Sequence, residues 1–174
     1  GACALLVPKI DDGAQVVDVA GRMEAAGAPK ATAIWCMIET ARGVLNAAEI
    51  AAASDRLGAL LMGAADLSKD LHALHTPDRL PLLTSIGICI LAARANGLAV
   101  LDSPFFDLSD DEGFLAACAQ GREMGFDGKA LLHPKTIDGA NQAFGPSAED
   151  VALARRIIEA HAEALARGQG VTLL

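Results

Sequence analysis

Five short, mostly apolar runs punctuate the chain, at Ala4–Val7, Ala33–Ile38, Leu57–Met62, Leu98–Leu101 and Lys129–Leu132. In the third, Leu60, Leu61 and Met62 follow one another with no polar alternation, so both faces of such a strand must be covered. The runs recur roughly every 30 residues, the length of a βα unit. A chain built this way is expected to form a parallel sheet with helices packed on it, an α/β domain.

The stretches between the runs have readable helix ends. Asp12 caps a segment through Val16, Val19, Ala20 and Met23, which Gly27 closes. A second runs from about Gly43 through Leu45, Ala48 and Ile50. A third, Leu82 to Asn96, follows Pro81 and stops at Gly97. Ser109, Asp110, Asp111 and Glu112 bring a cap and acidic charge to the start of a fourth, ended by Gly125. The last starts at Ser147, has Asp150 three residues on in a capping-box pattern, and runs to Arg167 before Gly168.

With 174 residues, no linker and no repeat, residues 1–174 are read as one domain. Hydrophobic residues make up 52% and charged residues 21%, which excludes intrinsic disorder. Two architectures fit the alternation: an open, doubly wound sheet of five strands, or part of a (β/α)₈ barrel. Length favours the open sheet, since a whole barrel takes about 250 residues. In either, function belongs at the carboxyl ends of the strands.

The first run ends in Pro8-Lys9, the second in Glu39-Thr40, the third in Gly63-Ala64-Ala65-Asp66, the fourth in Asp102 and the fifth in His133-Pro134. If the second and third runs are neighbours, Glu39 and Asp66 converge. Two carboxylates plus waters suit a hard cation such as Mg²⁺; the alternative makes them solvated loop acids or capping groups. Small residues at Gly63-Ala64-Ala65 let backbone amides approach a ligand, or simply allow tight packing. Lys9 either neutralises an anionic substrate or pairs with a neighbouring acid. Asp102 is a pocket wall or a cap, and His133 reads as a hydrogen-bonded structural histidine. His72, His75 and His161 carry no signal.

Several chemistries are excluded. No strand is followed by GxGxxG, and neither GxxxxGK[ST] nor GxSxG is present. The net charge of −8 argues against nucleic acid or an anionic membrane as partner. No Tyr and a single Trp leave no base-stacking platform. Cys3, Cys36, Cys89 and Cys118 are widely spaced, with no CxxC, and are expected to be buried reduced thiols in a cytoplasmic protein. No apolar run approaches the roughly 20 residues of a membrane helix, and the opening Gly-Ala-Cys-Ala-Leu-Leu-Val-Pro-Lys lacks the basic region of a signal peptide.

Taken in order, "LLVPKIDD", "MIETARGVLNAAEIA", "LLMGAADLSKDL", "AARANGLAVLDSPFFDLSDDEGF" and "GFDGKALLHPKTIDGANQAFGPSAEDVALARRII" resemble the HpcH/HpaI aldolase–citrate lyase family. The nearest likeness is to its citrate lyase β-subunit-like and malyl-CoA lyase-like members. The resemblance implies a TIM (β/α)₈ barrel in which these motifs belong to strands four to eight. The chain is therefore expected to be a partial barrel, lacking the first three βα units and the C-terminal lid. By motif, Glu39 and Asp66 take the place of the family's catalytic Mg²⁺-binding carboxylates. Gly63, Ala64, Ala65 and Asp66 take that of its turn for a keto-acid or hydroxy-acid carboxylate.

The implied reaction is Mg²⁺-dependent cleavage of a 3-hydroxy-acyl-CoA to an acyl-CoA and a keto acid. Aldol cleavage of a hydroxy-keto acid, thioester hydrolysis, or a silent scaffold subunit are the alternatives. The family's substrate-binding Arg and lid acid have no counterpart here. Relatives often carry Glu at Ala65 and differ around Thr84-Ser85-Ile86-Gly87. Family likeness also implies a homo-oligomer, a trimer or larger, with the helix after Ser147 near the interface. Arg94, Lys129 and Lys135 are candidate contacts for the phosphates of CoA.

Overall fold

A computed structural model describes residues 2–168. Five strands, β1 (Ala4–Val7), β2 (Ala33–Ile38), β3 (Leu57–Met62), β4 (Ala99–Asp102) and β5 (Gly128–Lys129), form one parallel sheet in the order β1-β2-β3-β4-β5. That sequential order decides between the two architectures. A doubly wound sheet reverses direction at a switch point, which places helices on both faces. Right-handed crossovers that always step the same way place every helix on one face, the winding of a barrel wall.

The covered face carries Ile34, Cys36, Ile38, Leu60, Met62 and Val100, all fully or almost fully buried. Against it pack α1 (Gly13–Ala25), the short pair α2 (Ala41–Leu45) and α3 (Ala47–Ala51), and α5 (Leu83–Ala95). Val16 and Met23 of α1, Ile50 of α3, and Ile86, Cys89 and Ala93 of α5 complete this core. Phe114 and Cys118 of α6 (Asp111–Met124) form a smaller cluster with Ala140 of α7 (Ile137–Phe144). On the opposite face Leu6, Trp35, Leu61 and Leu101 line an open hollow of about 550 Å³.

The expected caps are present. Asp12 and Gln15 form a reciprocal capping box on α1, and Ser147 and Asp150 another on α8 (Ala148–Ala166). Asp110, within the expected Ser109 to Glu112 stretch, caps α6 by accepting from the Gly113 amide. The expected second helix is two, divided at Asn46.

Four further expectations are corrected. The fourth strand runs one residue further than Leu101, so Asp102 belongs to it. The fifth is only Gly128–Lys129, not Lys129–Leu132: after Ala130, whose amide donates to the Asp102 carbonyl, the chain turns off toward His133 and Pro134. Gly63-Ala64-Ala65-Asp66 is not a loop but the cap and first turn of α4 (Ala64–Asp70). Cys3 is exposed, while the other three thiols are buried, and burial pushes Cys36 and Cys89 up to about 12.

Candidate functional site

β1, β2 and β3 end side by side, and each passes directly into one group of the site. Beyond β2, Thr40 caps α2 by accepting from the Gly43 amide at 3.0 Å while its hydroxyl donates to Asp11. Asp70 accepts from the Ala41 amide at 2.7 Å. Gly43 admits no side chain, since a Cβ would lie 2.5 Å from the Ile10 carbonyl oxygen. These ties fix the backbone that follows Glu39, a residue only 4% exposed.

Lys9, two residues past β1, adopts the left-handed region at φ 54°. This conformation delivers its amide to Glu39 Oε1 at 2.9 Å. Its ammonium reaches Asp66 Oδ2 at 3.2 Å and stands 3.9 Å from Glu39 Oε1. Asp66, third residue of α4, is half-exposed. Gly63, the residue that turns β3 into α4, lies under Glu39: a Cβ there would sit 2.5 Å from the Glu39 Cβ and 2.7 Å from Oε2. The sheet thus brings Lys9, Glu39, Gly63 and Asp66 together.

Burial is the main cause that raises the Glu39 carboxyl above the usual carboxylate range; the Asp66 charge adds to it, and the Lys9 amide and ammonium oppose it. Lys9 is raised in turn, first by its bond to Asp66 and then by the charge of Glu39. Two carboxylates held close beside one exposed ammonium are donors of the type that could hold a hard cation with positions left for water or substrate oxygens. Among the described residues no group of three or more His, Cys, Asp or Glu is placed to hold a metal.

The remaining strand-end residues have other roles. His133 Nδ1 accepts from the Lys135 amide at 3.1 Å, a structural cap. The three basic candidates for phosphate contacts each meet an acid of this chain: Arg94 on Asp127, Lys129 on Asp102 and Lys135 on Asp111. Asp102 is neither a pocket wall nor a cap. It is fully buried between Arg79 at 2.5 Å and Lys129 at 2.7 Å. Sequence reasoning missed this cluster, although Asp102 and Lys129 are register partners on neighbouring strands and of opposite charge. A cavity of about 760 Å³, which Ala65 lines but neither carboxylate does, opens among Phe105, Phe106, Asp78, Asp107 and Asp110.

Comparison with known proteins places these features in context. The sequence model of the HpcH/HpaI aldolase/citrate lyase family matches residues 1–134. A (3S)-malyl-CoA thioesterase of Cereibacter sphaeroides is 44% identical over 173 residues, covering 99% of this chain and 58% of the relative. The citrate lyase subunit beta of Escherichia coli is 34% identical over 179 residues, covering 100% of this chain and 59% of its own length. The crystal structure of protein CitE from Mycobacterium tuberculosis, in complex with magnesium, acetoacetate and coenzyme A, superposes with a TM-score of 0.74 at 32% identity. That match covers 92% of this chain and 58% of that one. The chain therefore spans somewhat more than half the length of the curated relatives it matches.

Proposed function

The chain belongs to the HpcH/HpaI aldolase/citrate lyase family, and on that premise we propose that it carries the carboxylate site of a magnesium-dependent carbon–carbon lyase. The substrate is a 3-hydroxy-acyl-CoA of the malyl-, citramalyl- or citryl-CoA type, and the products are an acyl-CoA and a keto acid. Its sheet is part of a TIM-barrel wall. The observation that carries the reading is the convergence of Glu39 and Asp66 on one ammonium, Lys9, at the mouth of that wall.

Glu39 and Asp66 are the residues that would hold Mg²⁺, which when bound supplies Lewis-acid polarisation of an oxygen on the substrate. Glu39 is oriented for this by the Lys9 amide, and burial leaves its ionised form hungry for a cationic partner. Lys9 keeps the two acids together and offers a charge to an incoming carboxylate. The start of α4 leaves the amides of Ala65 and Asp66 without intrahelical acceptors, and these suit the carboxylate of a keto or hydroxy acid. The open cavity beside Ala65, lined by Pro104, Phe105 and Phe106 together with Asp78, Asp107 and Asp110, has room for the arm of a thioester. The protein is read as a cytoplasmic homo-oligomer.

A second reading, hydrolysis of the thioester, is favoured by the 44% identity to the malyl-CoA thioesterase. It needs only a water directed at the acyl carbon instead of an expelled enolate. Incubation with malyl-, citramalyl- and citryl-CoA in Mg²⁺ separates the two: a lyase forms acyl-CoA and keto acid with no free thiol, and a thioesterase releases CoA thiol. Glu39→Gln and Asp66→Asn should each lower kcat/KM by about 100-fold or more. Turnover that survives the loss of both carboxylates would refute the metal-dependent mechanism.

A further inference from the structure

α4 begins without a cap of its own. Gly63 occupies the N-cap position and has no side chain to offer, so the first amides of the helix lack a local acceptor. The Ala64 amide instead donates to the hydroxyl of Ser103, at 3.3 Å and from 39 positions along the chain. Ser103 is buried, and it follows β4 directly. Its own amide donates to Asp102 Oδ1 at 2.8 Å.

Asp102 is in turn gripped from two sides. Lys129 of β5 meets Oδ2 and Arg79 meets Oδ1. Arg79 adopts the left-handed region at φ 56°, is 7% exposed, and is held further by Gln120 at 2.7 Å through its Nε. One of its terminal nitrogens, Nη2, is buried with no partner. Two buried cations on one carboxylate, a strained backbone and an unpaired guanidinium nitrogen form a poor stabilising device compared with apolar packing. Such a cluster is well suited to fix a geometry.

We propose that Asp102 is a positioning residue for the carboxylate site: with Arg79 and Lys129 it fixes Ser103, whose hydroxyl caps α4 at Ala64 and so holds Asp66 opposite Glu39. The proposal rests on the metal reading of Glu39 and Asp66. It adds to that reading a support from β4 and β5, strands that contribute neither carboxylate.

The test is a Mn²⁺ titration of the full chain, followed by electron paramagnetic resonance, with a thermal melt of each variant. Ser103→Ala should bind Mn²⁺ about 10-fold more weakly while melting within a few degrees of the parent, and Ser103→Thr should restore the affinity. Asp102→Asn should weaken binding at least as much, and Ser103→Ala preserves the test if Asp102→Asn does not fold. Asp66→Asn serves as reference. If Asp66→Asn loses the ion while Ser103→Ala binds it like the parent, the positioning role is overturned and the metal reading stands. If Asp66→Asn and Glu39→Gln also bind like the parent, the metal reading fails and the proposal falls with it.

Discussion

Glu39 is only 4% exposed and is met by one backbone amide and by an ammonium 3.9 Å away, so its ionised form carries a desolvation burden. Burial holds the Glu39 carboxyl above its ordinary value of 4.5, so the native state retains a proton that the unfolded chain has already released. Stability therefore falls as pH rises from about 4.5 through the raised value, and the whole deficit is present above it. Glu39→Gln removes the charge and keeps an acceptor for the Lys9 amide. Without metal, this variant should melt at or above the parent's temperature at pH 7, and the advantage should vanish below about pH 4.5. A variant less stable than the parent at pH 7 would mean that the Lys9 pairing outweighs burial. At this scale the sequence was informative where the chemistry is local. The convergence of Glu39 and Asp66 at neighbouring strand ends was legible from position, whereas position left their role open between metal ligands and solvated or capping acids. Asp102 was not legible, because Arg79 lies 23 positions before it and Lys129 27 after it, and nothing local records the pairing.

The first three strands coincide with their apolar runs because each run is continuous, too short for a buried helix and closed by residues that turn the chain. α4 and α7 escaped the sequence reading. Ala64-Ala65 after a glycine suits a tight turn as well as a helix start, and α7 is only eight residues long with Gly139 inside it. The two-residue β5 leaves part of the sheet edge to side chains. Asp127 accepts from the Val100 amide at 2.8 Å and grips the Arg94 guanidinium at the end of α5 through both oxygens, at 2.8 and 2.9 Å. Arg94 also donates to the Gly125 carbonyl at 2.6 Å, so one ion pair clasps α5, β4 and the end of α6. Arg94 holds the Asp127 carboxyl below its ordinary 3.8. That stabilisation is present above 3.8 and is lost as pH falls through the lowered value. Both side chains are more than 40% exposed, and water screens the charge. Asp127→Asn should cost about 1–2 kcal/mol at pH 7, chiefly through the lost charge-assisted bonds. Its loss of stability below about pH 4 should be shallower than the parent's, as chemical denaturation across pH would show; equal slopes would detach Asp127 from the acid limb.

Alternation of apolar runs and helices specified a parallel sheet but not the order of its strands, and chain length pointed to the open form. Order follows from which crossovers step in the same direction, a relation among elements that no single segment encodes. The consequence is a wall with one face covered by helices and the other lined by Leu6, Trp35, Leu61 and Leu101 around the open hollow. A parallel sheet normally has both faces covered. Here Leu5 and Leu6 of β1, at one margin of the sheet, are 46% and 40% exposed. An edge strand with free backbone groups and exposed leucines is a template for pairing with another chain. The 174-residue chain should therefore self-associate as concentration rises through the micromolar range, by sedimentation velocity or light scattering. Leu6→Lys places a charge at the hollow and on the edge strand, and it should shift association to concentrations at least several-fold higher while leaving the helix-covered core intact. A parent chain that stays monomeric at high concentration would show that this face needs no cover. Association unchanged by Leu6→Lys would move the contact elsewhere, to the exposed Ile157, Ile158 and Leu165 of α8.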